Sequence, residues 1–223
     1  MKIQTILATS IVAASLLASS AVFASSYSGN VAVNSNYIFR GQTQSNDQAA
    51  ISGGIDWNHT AGGYIGGWTS NLGGGEYEFD LYGGYVFTAS KVDVDVGYIA
   101  YIYPVVSSSD YSELYANATL NNYTAGLALT ISKKGTSQDN DFYLYGTGEF
   151  EMKKDLNLAV TVGYYNYDDS QFNSYGHVQV ALLKDDFIFA IDKNGDDSKN
   201  VANQSLNRDE VRFTVGYSKS IDF

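Results

Sequence analysis

Two adjacent stretches alternate almost without interruption. Tyr77, Phe79, Leu81, Tyr85 and Phe87 are interleaved with Glu76, Glu78, Asp80 and Tyr82, and Val92, Val94, Val96, Tyr98, Ala100 and Ile102 with Asp93, Asp95, Gly97, Ile99, Tyr101 and Tyr103. A period of two puts one set on each face of a β-strand, one face apolar and the other bearing carboxylates and tyrosines. The same period recurs over 114–120, 123–131, 156–164 and 213–223, while helical spacing is nearly absent. After residue 24 no apolar run approaches the roughly 18 residues that a membrane-spanning helix needs. The chain is therefore all-β.

The first 24 residues belong to another category. Lys2 precedes an apolar, small-residue run from Ile6 to Phe23 that ends Val22-Phe23-Ala24 before Ser25, the pattern of a secretory signal peptide cleaved after Ala24. The expected division is a leader over 1–24 and one β-domain over 25–223. An exported chain without a membrane helix is either soluble or a barrel.

Composition narrows the chemistry. The chain has no cysteine, which removes disulfides, thiolate metal sites and thiol catalysis. With 24 acidic residues against 13 basic ones and a formal charge of −11, it is a poor partner for nucleic acid. Its 19 tyrosines and 11 phenylalanines argue against disorder.

Turn-forming clusters divide 25–223 into about twelve strands, each boundary good to roughly two to four residues. The first is expected over 29–40, the second over 48–58 and the last over 210–223. Connections alternate in length: Asn121-Asn122, Lys153-Lys154-Asp155 and Lys184-Asp185-Asp186 are short, whereas 133–141 and 194–209 are long and polar. Short turns at one end and long loops at the other characterise up-and-down antiparallel transmembrane barrels of the bacterial outer membrane. About 17 residues are available per strand and connection, and a membrane strand takes roughly 9 to 11. Twelve strands fit that length, and ten also would. The terminal Phe223 closes an alternating aromatic strand, which resembles the signal read by the outer-membrane assembly machinery. A soluble sandwich or lipocalin-like barrel also alternates, with its apolar face turned inward.

Short motifs between residues 37 and 115 add a family likeness. Tyr37-Ile38-Phe39-Arg40-Gly41 with Thr43-Gln44-Ser45, then the run 63–71, the run 78–85, Tyr101-Ile102-Tyr103-Pro104 and Tyr111-Ser112-Glu113-Leu114-Tyr115 together resemble the TorF-type porin family of proteobacteria. Residues 120–222 match it only as generic strands. The resemblance implies an outer-membrane barrel surrounded by lipid and lipopolysaccharide, and it implies no particular solute.

If the apolar faces meet lipid, the inward set holds Asp56, Glu76, Glu78, Asp80, Asp93, Asp95, Glu113, Glu149, Glu151 and Asp192 against Arg40 and Arg212. Such an excess focuses a negative potential, so the expected channel passes small cationic or neutral solutes. Tyr82, Tyr101, Tyr103, Tyr115, Tyr143, Tyr145 and Tyr165 would line or fill the same lumen. A closed structural or adhesive barrel is the alternative. A membrane-embedded hydrolase is weaker, since His177 is its one plausible base and no serine stands out. No cofactor or metal is expected: the glycine runs lack a nucleotide fingerprint, and the Asp192–Asp197 stretch lacks the glycine and terminal glutamate of a calcium loop.

Overall fold

The computed structural model describes residues 25–135, 140–169, 172–195 and 210–223. The expected leader, 1–24, lies outside the described residues, as does most of the long loop 194–209. Strand β1 spans Ser26–Asn34, followed by two very short strands, β2 (Ile38–Phe39) and β3 (Gln42–Thr43). The remainder are β4 (Ala50–Asn58), β5 (Gly63–Asn71), β6 (Tyr77–Ala89), β7 (Val92–Ile102), β8 (Tyr111–Leu120), β9 (Tyr123–Lys133), β10 (Phe142–Lys153), β11 (Leu156–Asn166), β12 (Tyr175–Lys184), β13 (Phe187–Asn194) and β14 (Arg212–Asp222).

Twelve of these, all but β2 and β3, close into a barrel of sequential antiparallel neighbours. Closure is made by β1, which pairs on one side with β4 (Ala32 opposite Ser52) and on the other with β14 (Gly29 opposite Ile221). Closing the sheet removes the unpaired edges that would otherwise be intolerable in lipid. Turns at one end are tight. Ser90, Asn121, Asp155 and Asp185 each take a positive φ there, the geometry that two-residue hairpins demand.

The barrel is inside-out relative to a soluble one. Ile51 is 63% exposed and Phe213 73%, and Ile65, Val31, Phe189 and Val215 also stand on the outer wall. Asp95, Glu113, Gln179 and Asn194 are buried within. A lipocalin-like arrangement would reverse that distribution, so the outer wall is fitted to hydrocarbon instead of water.

The first predicted strand needs correction. Expected over 29–40, it ends at Asn34, and the chain then turns into the lumen as the β2–β3 hairpin before rejoining the wall at Ala50. Ile38 pairs with Thr43 and Phe39 with Gln42 across a two-residue turn, Arg40-Gly41, in which both residues have positive φ. Alternation continues through this segment because a hairpin packed against a wall alternates too. Glu76 also shifts, from the start of a predicted strand to the loop just before β6.

Candidate functional site

The hairpin crosses the lumen near the long-loop end and is fastened to opposite walls. On one side the Arg40 guanidinium donates to both oxygens of Glu113 on β8, at 2.8 and 2.6 Å, with Arg40 6% and Glu113 1% exposed. The Tyr37 hydroxyl donates to Glu78 on β6 at 2.8 Å, and the Tyr37 ring meets Trp68 edge-on. On the other side the Tyr175 hydroxyl donates to the Arg40 carbonyl at 3.1 Å, and Asn194 Nδ2 to the Gly41 carbonyl at 2.7 Å. The returning limb is held by Arg212, whose Nε donates to Asp47 at 2.7 Å and keeps that loop carboxyl below the usual range. Asn36 braces it by donating to Asp47 and accepting from Thr43 and Ser45.

Gly41 is required at the tip. Its φ is +81°, and a Cβ there would lie 2.6 Å from the Cβ of His177 and 3.2 Å from that of Asn194. Gly41→Ala should weaken hairpin docking by about 1 to 3 kcal/mol through strain and overlap together. Limited proteolysis between residues 36 and 45 reads this as faster cleavage, and a rate equal to that of the unaltered chain would show that the tip is not clamped.

The expected inward residues sort into levels. At the long-loop rim stands Glu76. At the hairpin level lie Glu78, which also accepts from Tyr103 at 2.7 Å, and Glu113, which also accepts from Tyr101 at 3.2 Å. Asp80 sits in the same tier, 0% exposed, and among the described residues neither of its oxygens has a hydrogen-bond partner. Below the hairpin, Tyr82 donates to Asp56 at 2.6 Å, and Tyr64 and Asn117 donate to Asp95 at 2.7 and 3.2 Å. Tyr115 bonds to Tyr64, and Tyr145 donates to Asn117 at 2.9 Å. Asp93, bonded to Thr88, and Glu149, bonded to Asn157, lie near the tight turns. The carboxylates are thus spread over the height of the lumen and mostly held by tyrosine and asparagine donors.

Tyr143 stacks on Tyr145 and on His177, and its hydroxyl shares a 2.7 Å hydrogen bond with His177 Nε2. That bond engages Nε2, while among the described residues Nδ1 of the same ring is buried without a hydrogen-bond partner. Asp192, placed above in the inward set, is a buried strand residue accepting from Gln179 at 2.7 Å. On this side a small void is lined by Asn36 and Ile38 of the hairpin limb and by Gln179, Ile188, Asp192 and Thr214. Tyr37, Asn36, Asp47 and Asn194 were not among the expected site residues, and His177 enters above only as a candidate hydrolase base. The signal that could have found the hairpin is Arg40-Gly41, a two-residue turn pair between short apolar and polar partners.

Residues 18–215 match the family described as bacterial protein of unknown function (Gcw_chp). No curated protein matches the chain. Among solved structures, the KdgM porin is similar at 14% identity and a TM-score of 0.55, over 87% of this chain and 99% of that one. A KdgM porin in complex with disordered oligogalacturonate gives 12%, 0.53, 88% and 99%, and the NanC porin 11%, 0.53, 86% and 98%. At these identities the likeness is one of fold.

Proposed function

The chain belongs to the Gcw_chp family of bacterial proteins of unknown function, and from that premise we propose that it is an outer-membrane channel of porin type. In this reading small, preferentially cationic or neutral solutes diffuse through it passively. The observation that carries the reading is a closed twelve-stranded barrel with an apolar outer wall and a carboxylate-lined interior. The KdgM and NanC folds and the resemblance of 37–115 to TorF-type porins support it. Residues 1–24 would be removed on export, and Phe223 would present the last strand to the assembly machinery. Arg40, Asp56, Glu76, Glu78, Asp80, Tyr82, Asp93, Asp95, Tyr101, Tyr103, Glu113, Tyr115, Tyr143, Tyr145 and Glu149 would line the path. An oligogalacturonate, the polyanion in one KdgM complex, is poorly matched to such a lining, because acidic walls repel it.

The docked hairpin favours a second reading, a barrel kept closed. Conductance separates the two. The purified chain in a planar bilayer should give discrete steps, with a reversal potential displaced toward the cation equilibrium in a salt gradient and less so at high ionic strength. Converting Glu78, Asp80, Asp93 and Asp95 together to their amides preserves shape and should shrink that displacement. An unchanged reversal potential in an open channel would remove the selectivity role from these acids, and a complete absence of steps would favour the closed barrel.

A further inference from the structure

The surroundings of Arg40 have the composition of a ligand site. The two terminal nitrogens of the planar guanidinium each donate to a different oxygen of Glu113. The ring centroids of Tyr143 and Tyr165 lie 4.5 and 5.4 Å from the Arg40 Cζ atom. A two-oxygen acceptor combined with aromatic faces discriminates guanidinium from a spherical ammonium, because only the planar ion satisfies both at once.

The cage is held together without Arg40. Tyr143 is fixed by His177, Tyr165 donates to Asp141 at 3.3 Å and stacks on Tyr175, and Tyr101 stacks on Tyr111 at 4.3 Å while donating to Glu113. Among the described residues Arg40 Nε is buried without a hydrogen-bond partner. The polar recognition therefore uses only the two terminal nitrogens, which any singly substituted guanidinium also presents. From the hairpin itself the cage takes one further ring, that of Phe39, 4.6 Å from Arg40 Cζ.

We propose that Glu113, Tyr101, Tyr143 and Tyr165 form a binding site for a guanidinium-bearing solute, which Arg40 occupies as a tethered stand-in when the hairpin is docked. A solute arriving in the lumen competes with Arg40 for Glu113, and occupancy by the solute frees the hairpin. The identification of that solute as cargo rests on the channel reading above; the existence of the site does not.

Ethylguanidinium, which reproduces the end of an arginine side chain, is the probe. In the full-length Arg40→Ala chain, millimolar ethylguanidinium should raise the unfolding midpoint saturably. Ethylammonium should do so much less, and Arg40→Ala combined with Glu113→Gln should not respond to either. An equal rise in the double variant, or none in Arg40→Ala, overturns the site. A second measurement holds if Arg40→Ala does not fold. The chain has no cysteine, so Gln42→Cys places one unique thiol on the hairpin with Arg40 in place. Ethylguanidinium should speed its alkylation several-fold and ethylammonium should not; an unchanged rate overturns competition with Arg40. Binding without bilayer conductance leaves the cage standing and removes the channel reading, whereas conductance without binding does the reverse.

Discussion

Replacing Glu113 with alanine should destabilise the barrel by about 3 to 5 kcal/mol, because it leaves the Arg40 guanidinium buried without its counter-ion. The pair is 2.6 Å apart at its shortest and almost fully excluded from solvent, so the unpaired charge cannot be rehydrated without undocking the hairpin. The loss measures the cost of orphaning a charge, not the worth of the pair. Exchanging both partners for apolar residues of similar length, Arg40→Met with Glu113→Leu, should therefore recover much of it. Urea titration of the folded chain in lipid vesicles, run as a double-mutant cycle, checks both expectations. Asp93→Ala is the internal reference, since among the described residues the Asp93 side chain accepts from Thr88 alone, near the turn end, and should cost under about 1 kcal/mol. An equal loss for Glu113→Ala and Asp93→Ala would mean that water reaches the hairpin and that it plugs nothing.

The contrast between those two acids shows what a sequence of this kind makes legible. Period-two alternation marks Asp93 and Glu113 as inward-facing in the same way, and it locates the wall strands to within a few residues, as with 48–58 and 210–223 against the observed Ala50–Asn58 and Arg212–Asp222. It succeeds because a lipid-facing wall forces an apolar residue at nearly every second position. It cannot reveal that Arg40 sits opposite Glu113, 73 positions away, since that pairing depends on how a loop folds through the barrel.

The same limit explains the first strand. Val31 and Val33 face outward on β1, and Tyr37 and Phe39 continue their spacing. Periodicity alone merges them into a strand over 29–40. The break is encoded locally, in hydrogen-bonding Ser35 and Asn36 and in the paired positive φ values at Arg40 and Gly41. Arginine is an unusual first residue for such a turn, because its Cβ disfavours positive φ. Its place there follows from the cage it reaches, in which Glu113 and two tyrosine faces over-determine the conformation.

Excising the hairpin tip, with Ile38–Thr43 replaced by two glycines, should give the largest change in conduction. Eight-stranded barrels are filled by side chains and sixteen-stranded ones carry water; a barrel of twelve lies between, so what occupies its middle decides whether it conducts. Here Tyr37, Phe39 and Arg40 supply much of that filling, and Phe39 and Arg40 leave with the tip. Glu113 loses its counter-ion at the same time, beside Asp80, which has no hydrogen-bond partner among the described residues, so the tier gathers unpaired carboxyl groups. Single-channel current should rise several-fold over the intact chain, and the preference for cations should sharpen. It should then fall off with ionic strength as exposed carboxylates are screened. Heat-modifiable migration in gels establishes that the shortened chain still closes its barrel, which it should, because β1 meets β4 and β14 through registers that do not involve the tip. A folded, tip-less barrel with unchanged current would place the constriction in the wall tyrosines, Tyr101, Tyr143 and Tyr165, and reduce the hairpin to a brace. Rising current without a gain in cation preference would separate the two roles, leaving the hairpin as the plug and assigning the buried acids to holding it.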